Sequence, residues 1–141
     1  MQISKNFPQF DKGAALLIVS GDFEADFYLA SKGEINKVGS LLVERRNPEI
    51  PVGFVASESG NIKTIKKFRH AEFIEEFKKH LLAILAQSAV KEAFLFAPAE
   101  VKNELEKALP AKLRKNLRVY EGNFHKEHPF KLLEKLASLP K

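Results

Sequence analysis

The spacing of hydrophobic and polar positions changes along the chain in an order that predicts the fold. Residues 14–20 form a continuous apolar run, and residues 23–30 alternate apolar with polar positions, so both segments are predicted to be strands. A third strand is predicted at 35–43, after a turn at 31–33. The alternation in the second strand places Glu24, Asp26 and Tyr28 on one face, which we expect to be exposed to solvent. The three strands predict an antiparallel meander, with the first strand central.

A long amphipathic helix is predicted at about 64–88, where apolar positions recur three and four residues apart. The stripe consists of His70, Phe73, Ile74, Phe77, Leu81, Ile84, Leu85 and Ser88. Strand and helix then alternate, with strands at 93–97 and 117–120 and helices at about 98–110 and 129–139. A meander followed by αβαβα predicts an α/β fold with a mixed sheet, in which the later strands arrive by helical crossovers. We expect residues 1–141 to form a single domain.

Between the third strand and the long helix, residues at about 44–63 contain two prolines and two glycines and show no stable period. The sequence predicts a long loop there. Loops of this length inside a compact domain are usually functional or disordered. We therefore expect this loop to be the first place where a partner would make contact.

Positive charge is concentrated in the second part of the chain. Residues 1–60 contain 6 Lys and Arg against 8 Asp and Glu, whereas residues 61–141 contain 17 against 10. Lys63, Lys66, Lys67 and Arg69 lie in an acid-free segment near the start of the predicted helix, and Arg45 and Arg46 open the preceding loop. These six residues define a candidate basic ridge, and such a concentration of charge favours a polyanionic partner such as RNA. The alternative is that the lysines only decorate a solvated surface.

Composition excludes several other kinds of site. The chain has no cysteine, which excludes disulfides and thiolate metal sites. No apolar run approaches the ~20 residues that span a bilayer, and residues 1–8 do not have the pattern of a secretory signal. We therefore expect a cytoplasmic protein without membrane contact.

No catalytic constellation is apparent in the sequence. A two-metal nuclease needs several carboxylates that converge, but the predicted first and fourth strands carry no inward-facing acid. His125 and His128 are interpreted as a surface turn and a helix cap, since no further ligand pair accompanies them. His70, on the helix stripe, is interpreted as a partly buried, hydrogen-bonded histidine. The sequence thus predicts no catalytic residue, no metal site and no cofactor.

Five segments resemble the bacterial family known as host attachment protein, which is similar to the central domain of archaeal and eukaryotic peptide-chain release factors and of Pelota. They are FIEEFKKHLL at 73–82, AFLFAP at 93–98, LEKALP at 105–110, LRVY at 117–120 and NFHKEHPFKLL at 123–133. The resemblance covers roughly residues 12–138. It implies an RNase H-like mixed sheet and association with RNA or the ribosome.

One departure from the release-factor pattern bears on activity. In release factors the loop before the long helix carries Gly-Gly-Gln, whose glutamine positions water at the ester of peptidyl-tRNA. Gly60 and Asn61 occupy the matching position here, so the motif is incomplete. We expect a non-catalytic domain that binds structured RNA or the ribosome through the basic ridge. The alternative is a protein-interaction module whose loop at 44–63 docks a partner protein, and exposed edges of the meander are compatible with a homodimer.

Overall fold

The computed structural model describes residues 1–43, 59–125 and 127–138, with the backbone alone for residues 59–69, 137 and 138. Its elements, in chain order, are β1 (Ala14–Ser20), β2 (Glu24–Ser31), β3 (Glu34–Leu42), α1 (Ser59–Gln87), β4 (Val90–Ala97), α2 (Ala99–Ala108), α3 (Ala111–Arg114), β5 (Leu117–Glu121) and α4 (Pro129–Ser138). This order confirms the predicted meander followed by alternating helices and strands. The short helix α3 is an addition that the sequence pattern did not predict.

The five strands form one mixed sheet in the order β3-β2-β1-β4-β5. β1 pairs antiparallel with β2, and β2 with β3, whereas β1–β4 and β4–β5 are parallel. A tight turn joins β2 to β3, where Lys32 (φ 50°) and Gly33 (φ 78°) both adopt the positive φ that a two-residue type I′ hairpin requires. The α/β fold with a mixed sheet and a central first strand is therefore confirmed.

The helix α1 packs its predicted stripe against one face of the sheet. Phe73 and Phe77 are fully buried, Leu81 is 1% exposed, and the Phe77 ring lies 5.5 Å from the Phe27 ring of β2. Each such side chain contributes roughly 1.5–3 kcal/mol of hydrophobic stabilisation. α2 packs beside α1 on the same face through Val101 and Leu105.

The other face of the sheet is also covered, which corrects the expectation of a solvent-exposed face on β2. Leu132 and Leu133 of α4 are fully buried against it, and Phe7 and Phe10 from the N-terminal segment pack on the same core. As a result Tyr28 is only 7% exposed and Asp26 only 9%. Alternation along β2 shows which residues share a face, but it does not show which later segment covers that face.

The helix α1 begins earlier than the sequence pattern predicts. Its first residue is Ser59 rather than one near Thr64, so Gly60, Asn61 and Lys63 belong to the first turns of the helix and not to the loop. Glycine and asparagine are weak helix formers, which is why the pattern placed the boundary later. Once the helix has nucleated in the downstream segment that carries the apolar stripe, its extension toward Ser59 costs little free energy. The rest of the predicted loop, residues 44–58, lies outside the described residues.

Candidate functional site

The carboxyl ends of the parallel strands bring several polar segments to one edge of the sheet. β1 ends at Ser20, β4 at Ala97 and β5 at Glu121, and β3, which runs parallel to β1, ends at Leu42. The helix α1 approaches the same edge, because the His70 ring lies 5.9 Å from the ring of Phe23, which follows β1. In open α/β sheets this is the edge where ligands usually bind. We call it the carboxyl edge.

An open crevice of about 740 Å³ lies at the carboxyl edge. Its lining consists of Gly21, Asp22, Phe23, Glu24, Leu42, Pro98, Glu100, Asn123, His125 and Glu127. Carboxylates predominate among the charged groups of this lining, so the crevice favours cationic over anionic groups. Among the residues that the structure describes, no group of three or more His, Asp or Glu side chains has an arrangement that could hold a metal ion.

His125 connects the segment after β5 to the polar residues of β2. Its Nε2 atom lies 3.5 Å from Oδ2 of Asp26, and its Nδ1 atom lies 3.1 Å from Oε1 of Glu24. The Glu24 oxygen is close but poorly aligned, so Nδ1 is buried without a hydrogen bond in the described part of the chain. His125 lies in a turn, as interpreted from the sequence, and the N–H of Glu127 closes this turn by donating a 2.9 Å hydrogen bond to the carbonyl of Phe124. The sequence did not predict that the His125 side chain is only 16% exposed and contacts the carboxylates of β2.

Asp26 has two further partners on the neighbouring strand β3. The Ser40 hydroxyl donates a hydrogen bond of 2.7 Å to Oδ1, and Lys37 Nζ lies 3.7 Å from Oδ2. Burial raises the pKa of the Tyr28 hydroxyl, and the Asp26 carboxylate raises it further because it repels the phenolate. Asp26 is therefore a carboxylate whose partners satisfy it, and the cluster stabilises β2, β3 and the segment around His125 together.

A histidine beside carboxylates could in principle activate a nucleophile, but the nearby described hydroxyls are already engaged. Ser20 is fully buried and donates a 2.7 Å hydrogen bond to the carbonyl of Gly21, while Ser40 donates to Asp26. Neither hydroxyl is aimed at His125 as a nucleophile–base pair requires. The Glu24–Asp26–His125 cluster thus forms no serine nucleophile–base pair among the described residues, and its contacts join β2 to the turn at His125 beside the crevice.

The other two histidines that the sequence analysis interpreted, His128 and His70, differ in how well the structure matches that interpretation. His128 accepts a 3.1 Å hydrogen bond at Nδ1 from the backbone N–H of Phe130, which confirms its interpretation as the cap of α4. His70 is partly buried as expected, with Nδ1 3.7 Å from Oε1 of Glu104 on α2. Its Nε2 atom, however, is buried without a hydrogen-bond partner among the described residues, so the expectation of a fully hydrogen-bonded histidine is wrong.

The structure locates the predicted ridge only in part. Gly60, Asn61, Lys63, Lys66, Lys67 and Arg69 all lie in the first turns of α1, where the backbone is described. Arg45 and Arg46 lie outside the described residues. The grouping of these side chains into one basic surface stays a prediction.

Comparison with solved structures identifies the fold. The archaeal translation termination factor aRF1 superimposes with a TM-score of 0.52 at 17% identity, over 91% of this chain and 35% of that one. The fold is release-factor-like. Ribosome-bound archaeal Pelota gives a TM-score of 0.46 at 19% identity over 75% of this chain and 27% of Pelota, and the Alp12 filament gives 0.45 at 12% over 95% and 49%. The chain thus spans about a third of the length of aRF1.

At these identities the similarity concerns the fold alone. No protein-family model and no curated protein matches the sequence, so membership of the host attachment family stays a prediction. No helix in the described part of the chain is both long and apolar enough to cross a bilayer.

Proposed function

We propose that this chain is a non-catalytic RNA-binding domain of the cytoplasm, with structured RNA of the ribosome as its ligand. The basic ridge, which comprises four cations on the first turns of α1 together with Arg45 and Arg46, contacts the phosphate backbone. The observation that carries the proposal is the coincidence of a release-factor-like fold with an acid-free, lysine-rich helix start. The similar structures include a translation termination factor and a ribosome-bound protein, which makes the ribosome the natural setting to test.

The helix spacing supports a common surface for these cations. Lys63, Lys66 and Lys67 are separated by three and four positions, which places residues on one side of a helix. The helix start also offers free backbone N–H groups and the positive end of the helix dipole, and both favour phosphate. Four phosphate contacts to a single-stranded segment of structured RNA, such as the loop of a hairpin, predict a salt slope of about −3, or roughly a fifty-fold loss of affinity between 50 and 200 mM salt.

A salt-titrated binding assay with a labelled RNA hairpin tests the proposal. The variant Lys63→Ala/Lys66→Ala/Lys67→Ala should lower the magnitude of the slope by about 2 if each lysine contacts one phosphate. The matched control is Lys78→Ala/Lys79→Ala/Lys131→Ala, which removes the same charge from exposed positions and should leave the slope unchanged. Equal slopes for both triple variants would remove the ridge from the RNA-binding surface.

A second assay addresses catalysis. Because Gly60 and Asn61 replace the Gly-Gly-Gln motif, we expect no hydrolysis of peptidyl-tRNA above background, with or without ribosomes. Turnover that disappears in the variant Asn61→Ala would show that the domain is an enzyme. Binding of a protein partner through the loop, without RNA, would support the interaction-module alternative.

A further inference from the structure

A second group of cations lies at the edge of the sheet opposite the crevice. This amino-edge patch consists of Lys12, Lys91, Lys112, Arg114, Lys115 and Arg118, all of them exposed. No acidic residue occurs between Glu106 and Glu121, the segment that contributes four of the six. The candidate ridge does not include these residues.

Parallel pairing brings the patch together from distant parts of the sequence. The amino ends of β1, β4 and β5 share one edge, since Ala14 pairs with Val90 and Ala93 pairs with Leu117. The Asn116 side chain donates a 3.3 Å hydrogen bond to the carbonyl of Lys91. Lys91 at the start of β4 is thereby tied to the segment that carries Lys115.

The Lys91 side chain has a defined place in this edge. The register of β4 against β1 shifts at Lys91, so this residue is the extra one of a β-bulge, and bulges commonly redirect a side chain. The stem of Lys91 lies across Gly13, where an added Cβ would clash with Lys91 Cδ. Glycine at position 13 therefore leaves the space that the lysine stem fills, beside Lys12.

A buried leucine anchors the helical part of the patch. Leu113 of α3 is 4% exposed and packs into the core, while Lys112, Arg114 and Lys115 around it are exposed. Because α3 is a single turn held by one buried side chain, the charged neighbours on either side of Leu113 lie at the surface. Their position follows from the fold and not from a mobile segment.

The six cations of the patch form no ion pairs with carboxylates among the residues that the structure describes. Elsewhere Lys37, Lys79, Lys102 and Lys131 each lie within 4 Å of a carboxylate. None of the six patch residues has such a partner among the residues that the structure describes. Asp11 adjoins Lys12 and Glu92 adjoins Lys91 in sequence, which leaves a clear excess of positive charge over the six patch residues. Like charges held together in this way favour a ligand that carries several anionic groups at regular spacing.

We propose that the amino-edge patch binds the phosphodiester backbone of RNA as a second contact surface. The choice of RNA as the polyanion rests on the proposed function, whereas the surface itself rests on described residues alone. The helix α1 separates the patch from the ridge, because its axis from Lys67 to Gln87 extends roughly 30 Å. An RNA long enough to reach both surfaces would bind with the advantage of two linked contacts.

Four proteins tested with one labelled RNA hairpin decide the matter: the natural chain, the ridge variant, the exposed-charge control and the patch variant Lys112→Ala/Arg114→Ala/Lys115→Ala. We expect the patch variant to lower the magnitude of the salt slope by about 2 and the affinity by on the order of a hundredfold at ~0.1 M salt. Urea unfolding at an unchanged midpoint will show that the patch variant is folded. A slope equal to that of the control would overturn the patch proposal.

The outcomes also separate the two proposals. If only the patch variant shows a smaller salt slope and a lower RNA affinity, the patch proposal is supported and the ridge proposal is refuted. If only the ridge variant shows these changes, the ridge proposal is supported and the patch proposal is refuted. The absence of RNA binding by the natural chain would overturn both. Polyglutamate that competes as well as RNA at equal charge would overturn RNA as the ligand of the patch.

Discussion

Replacing His125 by alanine tests whether the contact between His125 and β2 stabilises the fold. The ring is 84% buried by side-chain area, since 16% of it is exposed, and it lies between Glu24 and Asp26. Its removal deletes apolar ring contacts and a charge-assisted interaction with Asp26. If the native segment after β5 depends on this contact, the variant will be substantially less stable.

The expected magnitude follows from the geometry. Hydrogen bonds to charged groups contribute about 1.5–3 kcal/mol when well formed. The His125 Nε2–Asp26 Oδ2 distance of 3.5 Å is long, and Asp26 keeps its Ser40 hydrogen bond after the mutation, so the lower end of that range applies. With the lost packing of a partly buried ring added, we expect His125→Ala to lower the free energy of unfolding by about 2 kcal/mol.

Urea unfolding at constant m-value measures this change. Asn123→Ala, an exposed substitution in the same segment, is the control and should change stability by less than about 0.5 kcal/mol. The double-mutant cycle of His125→Ala with Asp26→Asn should give a coupling of about 1 kcal/mol. A His125→Ala variant as stable as Asn123→Ala, or a coupling near zero, would refute this account of the cluster.

Two further predictions concern single residues. Gly122 has φ 154°, and an added Cβ would lie 2.6 Å from the Phe124 ring. We therefore expect Gly122→Ala to lower the free energy of unfolding by about 1–3 kcal/mol, measured in urea. A Gly122→Ala variant as stable as the natural chain would contradict this prediction. Because burial and the nearby Asp26 carboxylate raise the pKa of Tyr28 above the ordinary tyrosine value in the folded state, its stabilising contribution is complete below that ordinary value and is lost as pH rises through the folded pKa. Absorbance titration should show one tyrosine that ionises late, and Tyr28→Phe should remove it.

Local periodicity was sufficient to predict the helices and strands whose own residues show a clear hydrophobic pattern. The stripe from Phe73 to Leu81 and the apolar run of β1 each specify a buried surface within a few residues, and both are buried as predicted. α3 was missed because four residues are too few to show a period. Its one informative residue, Leu113, becomes a core residue only through long-range contacts.

The candidate site was harder to predict because its members meet only in the folded chain. His125 contacts Glu24 and Asp26 across about a hundred positions of sequence, and nothing in its neighbourhood indicates that contact. Lys12, Lys91 and Lys115 likewise share an edge only because parallel strands align their amino ends. The signal that could have found them was the predicted topology itself, applied to charged residues at strand ends.

The hydrophobic core between the sheet and α4 has a consequence for synthesis of the chain on the ribosome. It joins both ends of the described chain, since the Phe7 ring lies 6.3 Å from the Phe130 ring of α4. While the polypeptide is being made, this face of the sheet will therefore stay partly uncovered until Leu132 and Leu133 of α4 have left the exit tunnel. The face under α1 is covered by helices that are made earlier, so nascent chains should attract chaperones chiefly through the face that α4 covers last.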